Sequence, residues 1–282
     1  MSDLSVIAKK KFGQNFLVDK AIKSRVSTNM LNFLNQFPGR YILEIGPGRG
    51  DLTEFFVDWG REVVALEIDP EAIEYNKAKF ENTTNFTLCH TDALDLFQNY
   101  DKNLNLISPN FALLSSLPYN VGSRILMDIP IIYFDTPLAV ILQKEVSQKA
   151  VSREYFSFFG AWLNLFWSLK NALSIAPHCF QPQPKVYSSL MLGNPKYIIK
   201  TDLPEFLNTA KKRLYARNTL KKLFSNPSRT LANNLKYLSW TKDDIKKFYA
   251  DFTLPYDTRL DWENYESILQ NVLNFKDLNL KA

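Results

Sequence analysis

Two cysteines, Cys89 and Cys179, are all that the 282 residues contain. They cannot build the disulfide framework of a small secreted domain, and a reducing, cytoplasmic setting is expected. Cys89 precedes His90, but no second Cys/His pair stands at ligand spacing, so no metal site is expected. Cys89 reads instead as a buried strand residue. No stretch reaches the roughly 18 apolar residues of a membrane-spanning helix. Residues 156–169 come nearest, but Ser157, Asn164 and Ser168 interrupt them, and they read as a buried helix. Lys9, Lys10 and Lys11 are not followed by the apolar run of a secretory signal. Internal repeats and low-complexity segments are absent.

What is present suits a sizeable core. The apolar fraction is 46% and the aromatic fraction 14%, with 21 Phe. The length allows one large domain, or one large and one small. The net charge of +5 is unevenly spread. Residues 196–229 hold nine Lys/Arg against Asp202 and Glu205, which is +7 and leaves −2 for the rest. Such a stretch is a candidate phosphate-contacting face. Charge alone describes a solvated helix face equally well.

The chain turns on Tyr41-Ile-Leu-Glu-Ile-Gly-Pro-Gly-Arg-Gly50. An apolar strand at 41–45 runs into three glycines at alternate positions, and a helix follows from about residue 51 to 59. Gly46, Gly48 and Gly50 allow a sharp turn and a close ligand approach. The spacing Gly-x-Gly-x-Gly is shorter than the dinucleotide fingerprint and suits a nucleoside without a pyrophosphate. Taken alone, it is also an ordinary strand-to-helix turn. An amphipathic helix at 21–36 precedes it, with Ile22, Val26, Met30, Leu31 and Leu34 on one side. A second strand at 62–67 ends on Glu67, about twenty residues past the glycines, where a carboxylate meets ribose hydroxyls in a βαβ unit. A helix at 71–80 and a third strand at 86–90 lead to Asp92. Asp92 can accept from a nucleobase amino group, cap the helix at 93–97, or do both. Residues 110–114 lead into Ser115 and Ser116, a helix follows near 123–127, and 138–142 form a fifth strand. Gly46, Glu67, Asp92 and Ser116 fall in order at strand C-terminal ends, where ligands bind in parallel sheets. A mostly parallel sheet with helices on both faces is expected.

Phe156, Phe159, Trp162, Leu163 and Phe166 recur at helical spacing and read as core. The Pro-punctuated loop at 180–186 feeds an alternating strand at 187–192, which pairs in a hairpin with 173–176. Composition changes after Pro195, where three or four helices follow, one of them opened by a capping-box pattern at Thr241.

Ser116-Leu117-Pro118-Tyr119 carries the sharpest chemical signal. An exocyclic amino nitrogen of a base is a poor nucleophile, because its lone pair is conjugated into the ring. A polar side chain and a backbone carbonyl can accept its two hydrogens and free that lone pair for in-line attack on a methyl group. Catalysis then rests on positioning and electrostatics. Tyr119 stacks on a base that has left its helix.

At these residues the chain resembles the small-subunit ribosomal RNA adenine dimethyltransferases, with the macrolide-resistance Erm methyltransferases as relatives. The matching stretches are Lys10-Lys-Phe-Gly-Gln-Asn-Phe-Leu17, Leu43-Glu-Ile-Gly-Pro-Gly-Arg-Gly50, Leu66-Glu-Ile-Asp69 and Asp92-Ala93. They continue through Leu117-Pro-Tyr-Asn120, Leu142-Gln-Lys-Glu-Val146 and Phe180-Gln-Pro-Gln-Pro-Lys-Val-Tyr-Ser188. The resemblance implies a Rossmann-like class I S-adenosylmethionine-dependent methyltransferase sheet over residues 1–195. It also implies a small all-α C-terminal domain over 196–282. The implied activity is transfer of two methyls to N6 of each of two adjacent adenines in small-subunit rRNA. By motif match, Asn15, Leu17, Gly46, Gly48, Glu67, Ile68, Asp92 and Ala93 contact the cofactor, together with Ser116. Ser116, Leu117, Pro118 and Tyr119 line the target-base site, and Phe180 closes its other face. Lys10, Lys11, Lys185, Lys212, Arg213, Arg217 and Lys221 are the expected RNA contacts. A monomer acting on the immature 30S particle is implied, with no membrane partner.

Two departures stand out. The family usually has Asn before Leu-Pro-Tyr, and here it is Ser116, a shorter side chain that puts the rate or the second methylation in question. The family's basic run in the C-terminal domain survives only as Ala216-Arg-Asn-Thr-Leu-Lys221. Two alternatives follow: an RNA-binding ribosome assembly factor with reduced or lost transfer, and an Erm-type enzyme acting on large-subunit rRNA.

Overall fold

The computed structural model describes residues 6–99 and 107–279, with side chains as far as Phe275. Seven strands form the main sheet. They are β2 (Tyr41–Ile45), β3 (Val63–Glu67), β4 (Phe86–His90), β5 (Phe111–Ser116), β6 (Leu138–Gln143), β7 (Trp167–Ile175) and β9 (Ser188–Pro195). Their order is β4-β3-β2-β5-β6-β9-β7. The first five are parallel, whereas β9 runs antiparallel to both β6 and β7. Strand order reverses between β2 and β5, which opens a crevice at their C-terminal ends. A second, two-stranded sheet joins β1 (Phe16–Leu17) to β8 (Phe180–Gln181).

The strands are apolar on both faces because helices cover both. Leu43, Ile45, Leu113 and Val140 enter one apolar cluster, while Ile42, Ala112, Leu114 and Ile141 enter another. On the second face lie α1 (Lys20–Leu34), through Val26, Met30 and Leu34, and α2 (Thr53–Asp58), through Phe56. The first face takes α4 (Ala93–Gln98) and α5 (Gly122–Ile132), reached after α3 (Pro70–Lys79) on the way from β3 to β4. Next come α6 (Lys144–Val151) and α7 (Phe158–Asn164). Beyond Pro195 the described chain has α8 (Ala210–Leu223), α9 (Leu231–Leu235), α10 (Lys242–Asp251) and α11 (Tyr265–Asn279). Their Leu220, Leu235, Phe248 and Leu269 belong to the same apolar cluster as Leu43 and Leu113. The expected capping box is present, with Thr241 and Asp244 satisfying each other's backbone N–H at the start of α10.

Three expectations change. Residues 156–169 are not one buried helix: α7 stops at Asn164 and β7 begins at Trp167. Ser168 and Lys170 are exposed on either side of Leu169, the alternation of an edge strand with one wet face. The hairpin partner is therefore all of β7 rather than 173–176, with a register shift between Asn171 and Leu173. Cys89 is half-buried rather than buried, because β4 is the sheet's other edge. No helix among the described residues is long and apolar enough to cross a membrane.

Candidate active site

The crevice between β2 and β5 opens into a cavity of about 880 Å³, part of it open to solvent. Asn15, Leu17, Gly46, Gly48, Glu67 and Ile68 line it, as do Asp92, Ala93, Ser116, Leu117, Pro118 and Tyr119. Each residue expected at the cofactor or the target base thus borders this one space, except Phe180.

The floor is bare backbone. Gly46 and Gly48 have φ of +67° and +57°, a region that side chains rarely adopt. A Cβ at Gly46 would sit 3.3 Å from the Pro118 ring, and one at Gly48 would sit 2.7 Å from Phe16. The glycine turn therefore meets the Ser116–Tyr119 loop on one side and the N-terminal segment on the other. That segment is fixed from several points. Lys9 Nζ pairs with Asp69 at 2.7 Å and Glu71 at 2.9 Å. Arg49 donates twice to the Val6 carbonyl and lies over the Phe16 ring. Burial opposes the Asp69 charge, but Lys9 and Gln14 hold the carboxyl below its usual range.

Glu67 is buried at the end of β3. Its Oε2 accepts from Gly48 N at 3.2 Å, and its Oε1 accepts from Ile68 N and Asp69 N at 2.8 and 2.9 Å. A carboxylate has about four lone-pair sites. Three are taken, which leaves one for a ligand hydroxyl. Burial pushes its carboxyl up, and the three backbone bonds counter that. Asp92 does cap α4, accepting from Leu94 N at 2.8 Å, and it borders the cavity as well, so both of its expected roles are open to it.

Ser116 ends β5 half-buried. Next to it, Ser115 Oγ donates to the Ile45 carbonyl at 2.7 Å and ties β5 to β2 just before the glycine turn. The Pro118 carbonyl accepts from Val121 N at 3.2 Å and Gly122 N at 2.8 Å and so starts α5. Tyr119 stands edge-on to Phe180, with ring centroids 6.5 Å apart. Phe180 is buried behind that ring and pairs with Leu17 across the small sheet.

Glu44 is a cavity residue to which no motif assigns a role. It lines the cavity from inside β2 and accepts from Thr53 Oγ1 at 2.7 Å. Its signal was a lone acid in an apolar strand. Burial pushes its carboxyl up to about 8 from 4.5, against the Thr53 bond, with Glu67 adding to the rise. The folded chain thus holds this proton more tightly than the unfolded chain does. Its contribution to stability is complete at low pH and is lost as pH rises from about 4.5 through about 8. Glu44→Gln is expected to flatten that fall, read as urea midpoints at pH 5 and pH 8 for both proteins.

The expected RNA contacts divide. Lys10, Lys11, Lys185 and Lys221 are exposed. Lys212 Nζ donates to the Glu205 carbonyl at 3.0 Å and lies 3.5 Å from its carboxylate. Arg213 is buried, and its guanidinium donates to the Ile131 and Leu207 carbonyls. Arg217 pairs with Asp128 and donates to the Met127 carbonyl. These two arginines fasten α8 to α5, because interior carbonyls need donors. A charge count cannot tell such residues from a surface patch. Among the described residues no cluster of potential metal ligands occurs.

A family model described as ribosomal RNA adenine dimethylase matches residues 6–277. A "Ribosomal RNA small subunit methyltransferase A" of Campylobacter jejuni (strain RM1221) is 33% identical over 238 residues, 82% of each chain. The crystal structure of a dimethyladenosine transferase from Plasmodium falciparum aligns with a TM-score of 0.65 at 20% identity, over 93% of this chain and 98% of that one. The crystal structure of the 23S rRNA methyltransferase ErmE aligns at 0.61 and 17% identity, over 91% and 99%. At those identities the two structures speak for the fold.

Proposed function

The chain belongs to the ribosomal RNA adenine dimethylase family, and from that premise we propose how its residues serve an rRNA adenine-N6,N6-dimethyltransferase of the small subunit. The observation that carries the reading is the convergence of the glycine turn, Glu67, Asp92 and Ser116–Tyr119 on one cavity. We assign that cavity to S-adenosylmethionine, which supplies an electrophilic methyl group when bound. The bare glycine floor and the one spare acceptor position on Glu67 fit a nucleoside. Glu67 takes a ribose hydroxyl and Asp92 the adenine amino group. Asn15 and Leu17 cover the ligand from the N-terminal side, and Ile68 and Ala93 bracket its base.

The target adenine enters beside Tyr119, which stacks on it. Its two amino hydrogens need two acceptors. The Ser116 hydroxyl is one. The Pro118 carbonyl is spent on α5, so the backbone acceptor is that of Leu117. Pro118 has no N–H to compete for the same space. Phe180 backs the Tyr119 ring.

Residues 1–195 form the methyltransferase domain in this reading, and 196–282 form a helical domain for RNA. Lys10, Lys11, Lys185 and Lys221 hold phosphates, with Lys212 joining when Glu205 releases it. Arg213 and Arg217 leave the contact set. The protein works as a cytoplasmic monomer on immature 30S particles and dimethylates two adjacent adenines.

Methyl transfer from labelled S-adenosylmethionine to immature 30S particles is expected. Binding of both without incorporation would instead favour the assembly-factor reading, for which Ser116 is the specific observation. Incorporation only into 50S precursors run in parallel would favour the Erm-type one. Ser116→Asn is expected to keep or raise the rate, because the amide oxygen reaches farther than the hydroxyl. A large loss would show that Ser116 is tuned to a different acceptor.

A further inference from the structure

Tyr119 is tethered at its far end. Its hydroxyl shares a short hydrogen bond with Ser188 Oγ. Ser188 is fully buried. It sits where β9 enters the sheet, opposite Gln143 on β6 and Ile175 on β7. Just before it, Lys144 N donates to the Tyr187 carbonyl at 2.8 Å and pins the entry point. Ser188 does not border the cofactor cavity.

We propose that Ser188 is a positioning residue for methyl transfer, anchoring the far end of the Tyr119 ring so that, with Phe180 beside it, the ring stands where the target base must meet it. The proposal rests on the assignment of Tyr119 to the target base. A tyrosine ring swings about two side-chain torsions; a bond at the phenol oxygen fixes the first, while rotation about the second, whose axis runs through that oxygen, is left to the neighbouring ring. Phe180 limits the swing on one side, with its ring inclined at 67° to that of Tyr119. Ser188 anchors the end. Phe180 opens β8 and Ser188 opens β9, so the one stretch of chain from β8 to β9 carries the clamp while the β5 loop carries the ring. A ring already fixed need not be ordered when the base arrives, which lowers the entropic cost of reaching the reactive geometry. The main-chain pairing of β9 does not require a hydroxyl at 188. The hydroxyl is explained by what it bonds to.

The test is a double-mutant cycle on the full-length protein, with methylation of immature 30S particles and S-adenosylmethionine affinity measured side by side. Ser188→Ala and Tyr119→Phe are each expected to lower kcat by about three- to twelvefold, within the range of one neutral hydrogen bond. The KM and Kd for S-adenosylmethionine should stay within twofold. The double variant should be no slower than the slower single one, because both remove the same bond. Wild-type turnover in either single variant would overturn the proposal. So would a double variant whose loss is the product of the two. If Ser188→Ala proves unfolded by thermal melting, Tyr119→Phe decides alone, since it leaves the strand intact. Wild-type protein that binds particles and cofactor but transfers no methyl would sink the functional assignment itself, and this inference with it. Active wild-type with unaffected variants would sink only this inference.

Discussion

Glu67→Ala is expected to weaken S-adenosylmethionine binding by about a hundredfold, roughly 2.7 kcal/mol. Loss of one acceptor for a ribose hydroxyl accounts for only part of this. The carboxylate also gathers the N–H groups of Gly48, Ile68 and Asp69. Removing it strands donors in an interior site, at about 1–3 kcal/mol for a buried unsatisfied group. The turn relaxes to find other partners, and Gly48 moves with it. Phe16 packs against Gly48, so the N-terminal cover loosens too. Titration calorimetry with the cofactor measures the loss, and thermal melting of the ligand-free variant separates it from a general loss of stability. Glu67→Gln sharpens the test. Its amide has one acceptor oxygen and turns an NH2 group towards backbone donors, so it should bind nearly as poorly as the alanine variant. Unchanged affinity in both would remove the ribose assignment.

That result would depend on an arrangement partly legible beforehand. Strands β2 and β4 stand where the sequence puts them: β2 is a buried apolar block broken only by Glu44, and β4, half-buried at the sheet edge, is a short β-prone run of Phe86-Thr-Leu-Cys-His90. Parallel strands in turn send every C-terminal end to one edge, so Gly46, Glu67, Asp92 and Ser116 had to meet once the strands were right. Position in the chain therefore predicted position in the site. What stayed hidden depended on contacts distant in sequence. Strand β7 follows a helix with no break but a change of period from Trp167 onward, and its partner β9 lies about twenty residues later. Arg213 and Arg217 look like surface cations until α8 is seen to lie against α5. Ser188 meets Tyr119 across 69 residues of chain. Glu44 was in plain view, but its burial beside Thr53 needed the α2 turn to be placed.

Tyr119→Ala should produce the other large effect, and a different one. Base–aromatic stacking contributes about 1–3 kcal/mol per base, or roughly five- to 160-fold in kcat/KM for the RNA. The true loss should lie at the upper end, because the ring does more than attract the base. It closes one wall of the cavity next to Pro118. Phe180 would keep its pairing with Leu17 across the small sheet but lose the ring in front of it. Glu67, Gly46 and Gly48 are untouched, so cofactor affinity should hold within a few-fold. The two substitutions therefore separate the halves of one cavity. Glu67→Ala acts on cofactor binding, and Tyr119→Ala acts on RNA turnover with the cofactor still held. Single-turnover methylation at saturating S-adenosylmethionine makes the distinction. Saturation should rescue much of the Glu67→Ala rate and none of the Tyr119→Ala loss. Rescue of Tyr119→Ala by added cofactor would move the ring from the base side of the cavity to the cofactor side.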